Sequence, residues 1–245
     1  MSVRFRTQDR KNLEAFQTIL QTAGTYLPLD FMIRLFTQMK KNKEGYDHVW
    51  LTNAILVTKE LCYVHGLSEG SKSVMYAITF LMETGQSFDL QHPADASAAF
   101  AMVFLNEHGD NFFQEEEMHA IVNCCKRQSY ITSRPTVDTQ FGVMAAEVRL
   151  LTDAIYPNVG KLIVEFVKEN VAPTVSPVSI DQWCTELAEL FAIKYGRGGS
   201  VWKTIPGYVL THWPEELKNF QAIADNTQLV SDQVKNNYKR IFGKG

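Results

Sequence analysis

No stretch of this chain reaches the roughly 18 uninterrupted apolar residues that a bilayer-spanning helix needs, so a membrane-embedded protein is not expected. A strong excess of one charge is missing too. There are 24 basic and 27 acidic side chains, for a formal charge of -3. That balance gives no overall pull toward nucleic acid or anionic lipid. Cysteine is scarce, with four in 245 residues. Cys62, Cys124, Cys125 and Cys184 form no CxxC pair, and each falls in an apolar helical pattern. They are expected to be small buried hydrophobes in a reducing compartment. The opening "MSVRFRTQDRKN" is basic but has no apolar block after it, so no secretory leader is expected and the expected location is the cytoplasm.

Strand signals are missing as well. No run combines β-branched alternation with a hairpin turn, which leaves an all-α fold as the expected class. There is no internal repeat, no low-complexity tract, and neither GxSxG nor HExxH. "KYGRGGSVWK" (194–203) is Gly-rich and basic, so its amides could meet a phosphate. It lacks the strand and the Lys-Ser pair of a P-loop, and a helix-breaking turn is the expected role.

What the chain does have is helical periodicity over 45% hydrophobic residues, ample material for a core. The spacing predicts helices over 12–22, 28–40, 47–64, 68–83, 93–107, 114–127, 137–155, 157–170, 180–195, 214–224 and 228–242. Ser68 is placed to cap the fourth of these, and Gly66 to end the third. "NVAPTVSPVS" carries two prolines and is expected to be a linker. The expected organisation is therefore a helical domain over 1–170 that includes an N-terminal helical pair. A linker over 171–179 and a helical extension over 180–245 packing on that domain would follow.

Five segments in order resemble the HD-domain superfamily of metal-dependent phosphohydrolases. "YDHVWLTNAILVTKEL" is similar to its first metal-ligand helix, with His48 at the histidine position. "GLSEGSKSVMYAITFLMETGQ" is similar to the helix that delivers the adjacent His-Asp pair. "HPADASAAFAMVFL" begins with His92 before a small-residue helix. "EEEMHAIVNCCKRQS" resembles a helix often ending in His-Ser, and "AEVRLLTDAIYPN" the helix of the final aspartate. The resemblance covers about half the chain. It implies an all-α HD-like core, a divalent ion (Mn, Mg, Fe, Ni or Zn), and a nucleotide-type or phosphate ligand.

The departures bear on that ion. Met82 and Glu83 stand where the His-Asp pair is expected, and Gln128 stands for the helix-ending histidine. Asp153 occupies the final ligand position, although a register two residues later would put Ile155 there. The ligand set implied by the resemblance is thus His48, Glu83, His92 and Asp153. A thioether is a poor ligand for a hard cation. Glu83 also carries one methylene more than aspartate, while metal distances tolerate only about 0.2 Å. A weakened or absent metal site is expected, and with it a binding or regulatory protein derived from an enzyme. The competing expectation is an active phosphohydrolase or phosphodiesterase using the altered ligand set. A metal-free variant would rest on Glu83 and His92 as acid and base. A third expectation is a purely structural or interaction protein with a filled cleft.

Each residue also has a plainer role open to it. His48 can bond a neighbouring carbonyl, His92 can cap a helix, and Met82 can fill the core. Asp153 is spaced to pair with Arg149 one turn earlier as an ordinary surface ion pair. Glu115, Glu116 and Glu117 suit the start of a helix through its dipole. The C-terminal helix interleaves Leu229, Val230, Val234, Tyr238, Ile241 and Phe242 with Lys235, Lys239, Arg240 and Lys244. It is expected to fold over a core, with a basic flank open to a protein partner.

Overall fold

The computed structural model describes residues 17–40, 48–87, 93–126, 140–155, 159–170 and 179–242. Among them every regular element is helical, as the all-α expectation requires. Helix α1 is described over 17–23. It is followed by α2 (Leu29–Lys40), α3 (His48–Val64), α4 (Glu69–Leu81), α5 (Pro93–His108), α6 (Glu115–Lys126) and α7 (Gln140–Ile155). Then come α8 (Val159–Asn170), α9 (Ile180–Tyr195), the short α10 (Gly207–Leu210), α11 (Pro214–Asp225) and α12 (Thr227–Phe242). Two 3-10 turns, Thr84–Ser87 and Ser200–Lys203, complete the described elements. No helix of the described residues is long and apolar enough to cross a membrane.

The chain divides into two compact units, Met1–Thr152 and Asp153–Gly245, and α7 runs through the boundary. Residues 153–170 thus fall in the second unit, while 171–178 of the expected linker lie outside the described residues.

In the first unit α4 packs on α3, α5 and α6, and α5 packs on α6 and on the turn Thr84–Ser87. Caps chosen by the local sequence set the helix ends. The Ser71 N–H donates to the Ser68 hydroxyl at 3.2 Å, so Ser68 starts α4 as its N-cap. Gly66 ends α3 at φ 61°, a left-handed conformation that costs glycine little. Where α3 crosses α4, the buried hydroxyls of Thr58 and Thr79 lie 2.7 Å apart. Phe31 of α2 meets Phe104 edge-on at 5.1 Å and Phe113 at 5.8 Å.

The second unit is built on α9, which packs against α8, α11 and α12. Phe166, Phe191 and Tyr195 form its aromatic centre, with Phe191 and Tyr195 at 4.7 Å. Trp202 is held by its indole N–H, which donates to the Tyr195 carbonyl at 3.0 Å. Val230 and Val234 of α12 are buried, as the apolar stripe predicts. The expected basic flank is partly engaged, since Lys235 pairs with Asp181 of α9. Lys244 lies outside the described residues.

Candidate functional site

The stretch that should present the ligand pair ends differently from its expectation. Helix α4 stops at Leu81 rather than Glu83, with Met82 as its C-cap. The Thr84 hydroxyl donates to the Leu81 carbonyl at 2.7 Å and so satisfies one of the orphan acceptors of the helix end. Ser97 of α5 then accepts from the Gly85 N–H at 2.8 Å. This long-range bond pins the turn to α5 and leaves no continuation for the helix.

Both residues of the substituted pair are inside. Met82 is 1% exposed and Glu83 is 7% exposed. Burying a carboxylate without a partner costs several kcal/mol, so a counter-charge is required. Arg149 of α7 supplies it. Its Nε lies 2.9 Å from Glu83 Oε1, and Arg149 itself is only 9% exposed. The surface setting expected for Arg149 and Asp153 is corrected by their burial. Neither residue is at the surface, for Asp153 is fully buried, and the guanidinium meets Glu83.

Helix α7 carries a second polar pair. Glu147 is buried and its Oε2 sits 3.3 Å from Nε2 of His65, which follows the end of α3. Burial pushes the Glu147 carboxyl above its ordinary range, while the charge and hydrogen bond of His65 act in the opposite direction. Neither His65 nor Glu147 belongs to the ligand set that the resemblance implies. The signal was there: Glu147, Arg149 and Asp153 interrupt an otherwise apolar helix whose residues 144–154 are all buried.

The four implied ligands fare unequally. Glu83 lies in the first unit and is engaged with Arg149. His48 is the first residue of α3, but its side chain lies outside the described residues, as does His92 entirely. Asp153 belongs to the second unit. The substituted pair, Met82 and Glu83, does not suit a hard cation. The Met82 thioether is packed in apolar core, and the Glu83 carboxylate faces a guanidinium. A divalent ion about 4 Å from that guanidinium would be opposed by roughly 8 kcal/mol at an effective dielectric near 20, twice the unit-charge value. No group of three or more His, Cys, Asp or Glu side chains is arranged for a metal among the described residues.

The remaining candidates resolve into ordinary structure. All four cysteines are free and buried. In the loop after α9, the Arg197 N–H donates to both carboxylate oxygens of Asp225, at 3.1 and 3.2 Å, so this amide is already engaged within the chain. Glu117 accepts from the Gln114 N–H at 2.9 Å, one half of a capping box at the start of α6. No family model matches the chain, and neither a curated protein nor a solved structure matches it.

Proposed function

We propose that this chain is a non-catalytic, HD-like binding or regulatory protein, in which an internal arginine has taken over the charge balance that a metal ion provides in the enzymes it resembles. The observation that carries the reading is the buried contact of Arg149 Nε with Glu83 Oε1 at 2.9 Å. Glu83 is the carboxylate that the resemblance implies as ligand and catalytic group. A guanidinium is permanently charged, so it competes with a cation for that carboxylate. The burial of Met82 supports the same reading, because a core methionine replaces a ligand and fills space. A nucleotide or another phosphate-bearing molecule is the ligand class that this ancestry implies.

Metal content of protein purified without chelator is the test. Bound Mn, Fe, Zn, Ni and Mg are each expected well below one equivalent, with no change in His48→Ala. A full equivalent of metal that disappears in His48→Ala overturns the proposal and restores the phosphohydrolase reading. Nucleotides and inorganic phosphate are then screened by thermal shift. A ligand present at a hundred times its dissociation constant adds about 2.7 kcal/mol of stability, which is readily detected. A flat response across the panel would remove the phosphate-ligand part of the proposal and leave an interaction protein.

A further inference from the structure

Away from the Glu83–Arg149 pair, α5, α6 and the loop between them enclose an open groove of about 590 Å³. Its floor is apolar, with Leu105 and Phe113 buried beneath it. Methionines form two of its walls. Met102 of α5 is 51% exposed, and Met118 of α6 is half-buried. Gly109, just after α5, leaves little room for a side chain. A Cβ there would come within 2.6 Å of the Leu105 carbonyl oxygen and 3.0 Å of the Met118 sulfur. The rim carries Asp110 and Glu115, both exposed, and no lysine or arginine is among the lining residues. The rim does include His119, whose Nε2 lies 3.8 Å from Glu115 Oε1.

Several features bear on the occupant. Exposed methionines are flexible and polarizable, and they recur on surfaces that accept varied apolar side chains. Val103 and Phe112, the chain neighbours of two lining residues, are 54% and 41% exposed. Both are exposed apolar side chains near an open groove, a setting that suits the apolar face of an extended partner segment. An acidic rim repels anionic lipid and nucleic acid and draws positive charge. An apolar face flanked by lysine or arginine is the pattern of a basic amphipathic helix, which lays anchors at i, i+3, i+4 and i+7 into such grooves.

We propose that this groove is the docking site for a basic amphipathic helix of a partner protein, seated between Met102 and Met118 with its cationic side chains against Asp110 and Glu115. The inference goes beyond the function proposed above and shares no residue with it, so either can fail alone. Both methionines give the partner's apolar face its contact. The two carboxylates fix its charge and steer its approach.

The test uses the full chain and a fluorescent Leu/Lys peptide of about 18 residues with leucines at helical spacing. A scrambled peptide of the same composition and a Leu/Glu peptide of the same pattern are the controls. Anisotropy is expected to show the Leu/Lys helix binding at least about tenfold more tightly than its scramble, and more weakly as salt screens the rim. Met102→Glu is expected to weaken it by at least about tenfold, since it places like charge next to the rim's own in an apolar seat. Met102 is exposed enough that the variant is expected to melt with the parent, and circular dichroism checks this. In Asp110→Lys/Glu115→Lys, preference is expected to pass to the Leu/Glu peptide. Equal binding of the scramble, an unchanged ranking in the charge-reversed variant, or binding to anionic vesicles in place of the peptide overturns the proposal.

Discussion

Arg149 of α7 and Glu83, in the turn that ends α4, face each other 2.9 Å apart with both side chains buried. Such a pair adds little net stability, because the Coulomb gain is largely offset by the loss of hydration of both ions. Removing one partner is a different matter, since it leaves the other as an uncompensated buried charge. Arg149→Met is therefore expected to destabilise the protein by about 3–5 kcal/mol, and Glu83→Met by a similar amount. The double variant Glu83→Met/Arg149→Met should recover most of that loss. Urea denaturation of all four proteins measures it as a double-mutant cycle. Single-variant costs that simply add would show that the two charges are not each other's partner.

Met82 occupies the place of a ligand, but its 1% exposure assigns it a packing role. Met82→Ala is expected to cost about 2–5 kcal/mol, the range for deleting a large buried side chain. Met82→Leu, nearly equal in volume, should cost less than about 1.5 kcal/mol. Denaturation midpoints separate these outcomes from a cleft-facing methionine, for which both changes would be close to neutral.

The pair of His65 and Glu147 predicts a dependence on pH. Burial holds the folded carboxyl above its ordinary value of 4.5, so the native state keeps this proton where the unfolded chain has lost it. The native state then binds more protons in that window, and stability falls as pH rises from 4.5 toward the folded value. Relative to Glu147→Gln, the parent should lose stability across that interval, and the two should converge in acid. His65→Ala removes both effects that pull the Glu147 value down, and it should deepen the loss. Urea midpoints between about pH 4 and 7 read the sign directly. A parent that gains on the glutamine variant as pH rises would contradict the burial argument.

Thiol chemistry provides an independent check of the packing. Burial pushes the Cys62 thiol up to about 12, against a smaller downward pull from Lys72. Cys125 is raised well above its ordinary value by burial, then by Cys124 and Glu83, and Cys184 is raised by burial and Asp181. At pH 8 a thiol near 12 is ionised in about one molecule in ten thousand, and the thiolate is the reactive form. A disulfide reagent at about that pH is expected to label the native protein only as fast as it unfolds, and all four cysteines at once in denaturant. Fast native labelling of Cys62 would show that its face of α3 is not closed off by packing.

Much of the architecture was legible in local sequence. The period of apolar residues placed helices that the structure starts at Pro93, Ile180 and Pro214, and Ser68 performs the cap that its position suggests. The misses have physical causes. Helix α4 was expected to reach Glu83, but the Thr84 hydroxyl and a bond from Gly85 to Ser97 of α5 end it at Leu81. The second of these contacts is tertiary. The four-residue α10, which follows the 3-10 turn Ser200–Lys203, has no period long enough to detect.

Composition and spacing alone were enough to determine that the chain is helical, where most of its helices begin and end, and which of their faces are apolar. Those properties depend on bonds and contacts within about four residues along the chain. Only tertiary structure decided that Glu83 meets Arg149 in a buried interior, and that Glu147 faces His65 from 82 residues away. A periodic pattern tells which side of a helix is turned inward. It carries no information about which charge on another helix will be waiting there, and in a buried interior that choice sets whether a carboxylate is available to a ligand or already neutralised.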